Sequence, residues 1–225
     1  MAWSEYHARW ERIWSPPDGG PRLAPGAAFD ARGSSPALVH AVESGRFDVR
    51  GQHVLVPGCG RGYDLATVLQ RGAAAATGLE ISPTAVEEAL AWLAGVGAPE
   101  ASVLLHDFFE APPAPKSGSS HAPPTRGYDY TFFCAIRPDM RGAWAEQWAR
   151  YLGGQSSGGR LLTLMYPIDP NKPRDEGPPF PVTPEAYAAV LEPAGFTLEW
   201  AEDVPAERSV SGREGRERVA VWALN

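Results

Sequence analysis

Short strand-like runs alternate with helical patterns along most of this 225-residue chain, and no other feature restricts its fold as much. Such alternation is typical of an α/β protein, in which helices cover both faces of a parallel sheet. The length suits one domain with a full hydrophobic core, so we expect residues 1–225 to form a single domain. The pattern predicts strands at 53–56, 73–79, 102–106, 128–134, 160–166, 196–204 and 218–223, and helices at 62–70, 82–94, 138–151 and 184–192.

Glycine and proline interrupt this pattern in three places. Together they fill 47 of the 225 positions (24 glycines and 23 prolines), close to the share at which low complexity begins. Many of them fall in residues 16–26, 111–127 and 167–181. We expect 111–127 to be a disordered or loop insert without chemistry of its own. Residues 167–181 follow the carboxyl end of a predicted strand, where open α/β sheets bind ligands, so this loop is a candidate part of a site.

The charge balance favours a small-molecule partner. The chain carries 27 acidic and 20 basic residues, a formal net charge of −7, and its arginines are mostly scattered singly. Nucleic acids and anionic membrane surfaces need clustered cations, so we expect neither as a partner. No apolar run reaches the ~20 residues of a membrane helix, and the first residues lack the order of a secretory signal peptide.

The two cysteines, Cys59 and Cys134, indicate a reducing compartment. Two cysteines cannot form a disulfide framework, and these two lack the spacing of zinc ligands. We therefore expect a cytoplasmic protein without a bound metal.

The strongest local motif is a glycine-rich turn after the first predicted strand, where Gly58, Gly60 and Gly62 alternate with other residues. Glycines at this point let the backbone approach a ligand at the N-terminus of the next helix, although a tight strand-to-helix turn would also use them. A dinucleotide fingerprint would have its third glycine at the position of Tyr63. The motif therefore argues against a bound pyrophosphate.

Acidic residues follow the next two predicted strands. Glu80, eighteen positions after Gly62, can accept hydrogen bonds from two ribose hydroxyls, as in NAD and S-adenosylmethionine sites, or can cap the next helix. Asp107 and Phe108 follow the third strand, where an acid can bind an exocyclic amine and a ring can stack on a purine. Three successive strand ends thus favour an adenosyl ligand.

Several short motifs then occur in an order typical of one enzyme family. They are Val56-Pro57-Gly58-Cys59-Gly60, Gly78-Leu79-Glu80-Ile81-Ser82, Asp107-Phe108-Phe109, Phe132-Phe133-Cys134-Ala135-Ile136, Leu164-Met165-Tyr166-Pro167 and Gly177-Pro178-Pro179-Phe180. From about Trp10 onward the chain resembles the halide/thiol methyltransferases of the thiopurine S-methyltransferase superfamily. The resemblance implies a class I, Rossmann-like α/β fold with seven strands, mostly parallel with the last antiparallel, and an N-terminal helical lid at 1–33. It also implies S-adenosyl-L-methionine as methyl donor, S-adenosyl-L-homocysteine as product, and no metal.

The resemblance also assigns residues to the site. It implies cofactor contacts from Trp10, Trp14, Phe29, Gly58, Gly60, Glu80, Asp107, Phe108 and Tyr130, and a substrate-side wall from Tyr166, Trp14 and Phe29. Phe29 stands where the family usually has a tryptophan before an aspartate, after an insertion rich in proline and glycine. We therefore expect a lid that keeps its aromatic ring and is longer and looser than usual.

The implied reaction is the in-line displacement of a sulfonium methyl group by a soft anion, namely a halide ion, hydrosulfide, thiocyanate or a small thiol. Such an acceptor needs no general base, because the protein has only to align it and exclude water. The alternatives are a thiopurine-type or metalloid methyltransferase, an NAD-dependent oxidoreductase and a non-catalytic adenosyl-binding module. We expect a monomer acting on a small-molecule substrate.

Overall fold

A seven-stranded sheet forms the centre of the computed structural model, which describes residues 3–98, 101–113, 123–153 and 158–225. The strands are β1 (His53–Pro57), β2 (Ala75–Glu80), β3 (Ala101–Leu105), β4 (Arg126–Tyr130), β5 (Arg160–Met165), β6 (Phe196–Asp203) and β7 (Arg218–Leu224). Their order across the sheet is β3-β2-β1-β4-β5-β7-β6. Strands β1 to β5 pair in parallel, and β7 runs antiparallel between β5 and β6. The predicted seven-stranded, mostly parallel sheet with an antiparallel last strand is confirmed.

Helices cover both faces of this sheet, as the alternation predicted. They are α1 (Trp3–Trp14), α2 (Pro36–Glu43), α3 (Tyr63–Gln70), α4 (Pro83–Gly95), α5 (Arg141–Leu152) and α6 (Pro184–Leu191). One hydrophobic core includes buried residues of α2, α3 and α4, among them Leu38, Leu65 and Leu93. The other includes Trp144, Trp148 and Leu191 from α5 and α6. The sheet is therefore buried on both sides, and its free carboxyl edge is available for ligands.

Side-chain caps followed by proline begin three of these helices. Ser82 Oγ accepts the backbone N–H of Ala85 at 3.0 Å, and Pro83 occupies the first turn of α4, as the sequence predicted. Ser35 and Thr183 cap α2 and α6 in the same way. A cap of this kind contributes about 1 kcal/mol and sets the point at which α4 leaves the end of β2.

Strand β4 ends earlier than its aromatic sequence predicted. The prediction was 128–134, whereas β4 ends at Tyr130. Thr131 has a positive φ of 63°, which turns the backbone out of the strand. The Asp129 carboxylate then accepts the backbone N–H of Phe133 at 3.1 Å and holds that turn. The aromatic residues after Tyr130 therefore lie beyond the strand, at the edge where ligands bind.

The insert predicted at 111–127 ends too late, because Arg126 and Gly127 are the first residues of β4. Neither residue favours a strand by propensity. Arg126 Nε donates to the carbonyl of Asp48 at 2.8 Å, and the missing Cβ of Gly127 leaves room for the Trp148 ring. Of the predicted insert, residues 111–113 and 123–125 belong to no helix or strand, and residues 114–122 lie outside the described residues.

Candidate active site

A cavity of about 450 Å³ lies at the carboxyl edge of the parallel strands. Its walls come from residues at or after the ends of β1 to β5, from the turn before β7, and from the N-terminal segment that contains α1. Because β7 runs antiparallel, its first residues lie at the same edge as the ends of the parallel strands. Open α/β sheets bind their ligands at this position.

The structure brings most of the sequence-predicted site residues to this cavity. The wall contains Trp10, Trp14, Phe29, Gly58, Gly60, Glu80, Asp107, Phe108 and Tyr166. The remaining candidate, Tyr130, does not line it.

Glu80 holds the glycine turn and also faces the cavity. One of its carboxylate oxygens accepts the N–H of Gly60 at 3.2 Å, and the other accepts those of Ile81 at 2.8 Å and Ser82 at 3.3 Å. Burial raises the pKa of Glu80, and these backbone hydrogen bonds oppose the shift. Ser82, and not Glu80, is the residue whose side chain caps α4. A carboxylate has about four acceptor positions, so Glu80 can still accept a hydrogen bond from a ligand.

The turn itself leaves space between the sheet and the lid. Gly58 and Gly60 have positive φ values of 56° and 52°, which favour glycine. A Cβ on Gly60 would lie 3.7 Å from the Trp14 indole, in the gap between the turn and the lid. Glycine at this position therefore keeps the cavity open.

Asp107 links the end of β3 to the N-terminal helix. One carboxylate oxygen lies 2.7 Å from His7 Nε2, and the other accepts the backbone N–H of Phe109 at 2.9 Å. Phe108 is buried beside it and stacks on Tyr151 with ring centroids 5.4 Å apart. The predicted adenine-side residues are therefore fixed by neighbours, and His7, which does not itself line the cavity, is a partner of Asp107 that the sequence did not reveal.

An aromatic group from the N-terminal segment covers the cavity. The ring centroids of Tyr6 and Trp10 lie 6.2 Å apart, and Phe29 lies 5.9 Å from Trp10 and 5.8 Å from Trp14. All three pairs are edge-to-face, the arrangement that aromatic quadrupoles favour. Phe29 therefore packs with the two tryptophans, and the segment forms the lid that the resemblance implied.

Buried charges anchor this lid to the sheet. Arg61 Nε donates to Asp30 at 2.8 Å and Nη1 donates to Glu88 at 2.6 Å, while the guanidinium carbon lies 5.3 Å from the Trp14 ring centroid. The Tyr63 hydroxyl also donates to Asp30, at 3.2 Å. Tyr63, which replaces the third glycine of a dinucleotide motif, thus serves to hold the lid.

Tyr130 is placed differently from its sequence-based assignment. Its hydroxyl donates to Glu217 and accepts a hydrogen bond from Arg213 Nη1 at 2.5 Å. Both partners come from the segment before β7, and they hold the phenol beside the cavity rather than in its wall. Tyr130 therefore supports Arg213 from beside the wall, and the cofactor contact assigned to Tyr130 from the sequence stays a prediction.

Several further wall residues had no individual assignment to the site from the sequence, although Pro178 and Pro179 lie in the loop 167–181 that was a candidate part of it. They are Tyr6, Arg9, Ile13, Ala28, Leu79, Ile81, His106, Phe109, Thr131, Phe132, Cys134, Ala135, Pro178, Pro179 and Arg213. The wall residues after β4 and β5 could have been predicted from their position at strand ends. Arg213 could have been predicted from the antiparallel direction of β7, which brings the residues before this strand to the same edge. No local sequence pattern predicts the contacts of the N-terminal segment.

The arrangement suits an adenosyl sulfonium. Glu80 offers carboxylate oxygens for ribose hydroxyls, and Asp107 offers a second acidic group beside the Phe108 ring. The rings of Trp10 and Trp14 can face a cation. S-adenosylmethionine would therefore be held between the ends of β1, β2 and β3 and the lid.

Two features are absent from the described part of the chain. Among the described residues, no group of three or more histidine, cysteine or acidic side chains could hold a metal ion. Within the same part of the chain, no helix is long and apolar enough to cross a membrane.

Solved structures share this architecture. Magnesium protoporphyrin IX methyltransferase from Synechocystis PCC 6803, with S-adenosylhomocysteine bound, superposes with a TM-score of 0.63 at 17% identity, covering 99% of this chain and 95% of that chain. At such identity the shared feature is the fold. The strand order and the cavity at the carboxyl edge define the fold as that of the class I S-adenosylmethionine-dependent methyltransferases.

Sequence relatives narrow this class to one family. The sequence profile of the thiopurine S-methyltransferase family matches residues 8–223. The chain is 36% identical over 214 residues to the probable thiol methyltransferase 2 of Arabidopsis thaliana, and 33% identical over 216 residues to thiocyanate methyltransferase 1 of Brassica oleracea. Each match covers 95% of this chain and 83% of the relative. The chain therefore belongs to the thiopurine S-methyltransferase family and is an S-adenosylmethionine-dependent methyltransferase.

Proposed function

We propose that this chain transfers the methyl group of S-adenosylmethionine to a small soft anion: a thiol, hydrosulfide, thiocyanate or halide ion. The composition of one part of the cavity wall carries the proposal. The wall residues that follow β4 and β5 or precede β7 are Thr131, Phe132, Cys134, Ala135, Tyr166, Pro178, Pro179 and Arg213. This set contains a cation and neither a carboxylate nor a histidine. It therefore suits an acceptor that arrives as an anion.

Cys134 does not supply a base either. Burial raises the pKa of its thiol to about 12, so the thiol stays protonated near neutral pH. A neutral acceptor would have to lose its proton to another group, whereas a thiolate or a halide ion would not.

When bound, S-adenosylmethionine supplies a methyl group that its sulfonium has already activated. We assign binding of the adenosyl part to Glu80, Asp107 and Phe108. The lid rings, including Trp10 and Phe29, exclude water and offer ring faces to the positive charge. We assign alignment of the acceptor to Tyr166, which directly follows β5.

The named relatives support this class of acceptor. The first relative is described as a thiol methyltransferase and the second as a thiocyanate methyltransferase. Thiolate and thiocyanate both present sulfur with a negative charge, and halide ions share the charge and softness. A single cavity of this kind suits all of them.

A thiopurine-type acceptor is the alternative that the family name favours. A metalloid acceptor would use the same cavity, whereas an NAD-dependent reaction is disfavoured by Tyr63, which occupies the third glycine position and bonds Asp30. Steady-state release of S-adenosylhomocysteine should be compared for thiocyanate, hydrosulfide, iodide and 6-mercaptopurine. Higher kcat/KM for the small anions is expected, and a clear preference for the purine would replace our assignment with the thiopurine type.

We further propose that the protein acts as a cytoplasmic monomer. Both cysteines are free, which suits a reducing compartment. Light scattering after size-exclusion chromatography should give one species near 24.2 kDa. A species of about twice that mass would contradict the monomer.

A further inference from the structure

Arg213 is a nearly buried cation in the wall of the cavity, with 9% of its surface exposed. Its Nη1 donates to the Tyr130 hydroxyl at 2.5 Å, and its Nη2 donates to the carbonyl of Phe29 at 3.1 Å. Among the described residues, no carboxylate oxygen lies within 4.0 Å of its guanidinium nitrogens. A buried charge without a direct counter-ion is costly, so this cation is poised to take an anion from the cavity.

Other buried arginines differ from Arg213 in this respect. Arg61, which does not line the cavity, has two carboxylate partners, Asp30 and Glu88. Arg126 and Arg141 have no carboxylate partner in the described part of the chain, but neither borders the cavity. Arg213 thus combines an uncompensated charge with access to the space where a substrate would lie.

The guanidinium is also held in place before any ligand arrives. The turn that carries it is closed by hydrogen bonds from the Arg213 N–H to the Val210 carbonyl at 2.9 Å and from the Arg216 N–H to the Arg213 carbonyl at 3.0 Å. Glu217 is buried, and its carboxylate accepts the N–H of Val210 at 3.2 Å and the hydroxyl of Tyr130. The Glu217 carboxylate is therefore linked to Arg213 only through the Tyr130 hydroxyl. This link holds the guanidinium in place without a direct ion pair.

Arg213 lies beside the residue to which we assign acceptor alignment. Its guanidinium carbon is 4.6 Å from the centroid of the Tyr166 ring. Pro178, Pro179 and Cys134 line the same end of the cavity, and none of them carries a charge at neutral pH. The positive charge therefore falls at the acceptor end, in surroundings where little water screens it.

We propose that Arg213 is the specificity-determining residue of this enzyme, which binds the acceptor as an anion beside Tyr166. This inference rests on the function proposed above and adds the group that recognises the acceptor's charge. Thiocyanate, hydrosulfide and halide ions would bind directly. A thiol would be favoured as its thiolate, its proton having passed to solvent, because a neighbouring cation lowers the pKa of a thiol.

Binding of thiocyanate tests this role without turnover, because thiocyanate is an anion throughout the neutral pH range. Calorimetric titration of sodium thiocyanate into protein saturated with S-adenosylhomocysteine should be done at constant ionic strength kept with sodium gluconate. Arg213→Gln should weaken thiocyanate binding about 10- to 150-fold, the range for loss of a charged hydrogen bond. Arg213→Lys should restore part of the affinity, because it keeps the charge without the planar fork.

Controls separate recognition of the anion from a structural role. Arg208→Gln removes a charge from the same segment, where Arg208 pairs with Glu202 away from the cavity wall, and should leave thiocyanate binding unchanged. Affinity for S-adenosylhomocysteine should change by less than about threefold in each variant. The unsubstituted complex should bind thiocyanate but not acetonitrile, a neutral rod of similar shape, and this comparison serves even if Arg213→Gln does not fold.

Several results would overturn the inference. The first is unchanged thiocyanate affinity in Arg213→Gln. The second and third concern the unsubstituted complex, which would bind thiocyanate and acetonitrile equally or would not bind thiocyanate at all. The fourth is an equal loss of thiocyanate affinity in both Arg213 variants together with weaker S-adenosylhomocysteine binding and a lower melting temperature. If thiocyanate binds through Arg213 but no methylated product forms, the proposed function fails while Arg213 remains an anion site.

Discussion

Replacing Glu80 by glutamine tests the assignment of the cofactor side. The substitution keeps the length of the side chain and one oxygen acceptor, but removes the charge and places an NH2 group near backbone donors. In the structure one carboxylate oxygen accepts hydrogen bonds from the backbone N–H groups of Ile81 and Ser82, and the other accepts one from the N–H of Gly60. The glutamine oxygen can keep the first two bonds, which leaves the N–H of Gly60 facing a donor.

Two separate losses follow from this geometry. Loss of the hydrogen bond to the half-buried N–H of Gly60 should lower the free energy of unfolding by about 1 kcal/mol. Loss of a charged acceptor for the ribose hydroxyls should cost about 1.5–3 kcal/mol of binding, which raises the Kd for S-adenosylhomocysteine about 10- to 150-fold. Burial raises the pKa of Glu80, so affinity in the unsubstituted protein should begin to fall at a higher pH on acidification than for an ordinary glutamate.

Calorimetric titration of S-adenosylhomocysteine measures the binding loss, and urea unfolding measures the loss of stability. Glu87→Gln is the matched control, because Glu87 is 64% exposed and pairs with Arg22 at the surface; it should change neither quantity. A folded Glu80→Gln protein whose Kd stays within about twofold of the unsubstituted value would show that Glu80 does not bind the ribose.

Three further substitutions test the packing and the buried charges by urea unfolding. Gly127→Ala would place a Cβ against the buried Trp148 ring and should lower the free energy of unfolding by about 1–3 kcal/mol. The control Gly142→Ala adds a Cβ in α5 with no neighbour within 4 Å and should be neutral or stabilising. Equal effects of the two substitutions would refute the packing argument. Arg61→Gln leaves the buried Asp30 carboxylate without its cation and should cost about 3–5 kcal/mol, and a loss below about 1 kcal/mol would mean that the ion pair does not anchor the lid. Burial raises the pKa of Asp129 to about 6, so its contribution to stability is full below the unfolded pKa of about 3.9 and declines as pH rises towards 6. The asparagine of Asp129→Asn cannot ionise. Between pH 4 and pH 7 the free energy of unfolding of the unsubstituted protein should therefore fall by about 2–3 kcal/mol relative to that of the variant. A difference that does not change with pH would contradict the raised pKa of Asp129.

The fold followed from local signals where those signals determine the backbone. Ser82 before Pro83 predicted the start of α4 because a cap and a proline act on their own helix. The end of β4 was mispredicted because a bond from the Phe133 N–H to Asp129 and the positive φ of Thr131 stop the strand, and aromatic propensity does not reveal either.

The candidate site was predictable where it follows strand ends in sequence. Glu80 and Asp107 line the cavity because parallel strands bring their carboxyl ends to one edge. His7 and Arg213 escaped prediction because their partners are distant in sequence. The bonds that hold the Tyr130 hydroxyl beside the wall were not predictable either, because Arg213 and Glu217 come from a distant segment.

Transfer of a methyl group to a small soft anion is most directly tested by analysis of the gas above the reaction. Purified protein should be incubated with S-adenosylmethionine and, separately, sodium thiocyanate, sodium hydrosulfide or sodium iodide, and the headspace analysed by gas chromatography with mass spectrometry. Our account predicts methyl thiocyanate, methanethiol or methyl iodide, formed in step with S-adenosylhomocysteine and lost without protein. Protein that binds S-adenosylhomocysteine yet yields none of these products, while methylating 6-mercaptopurine, would contradict it.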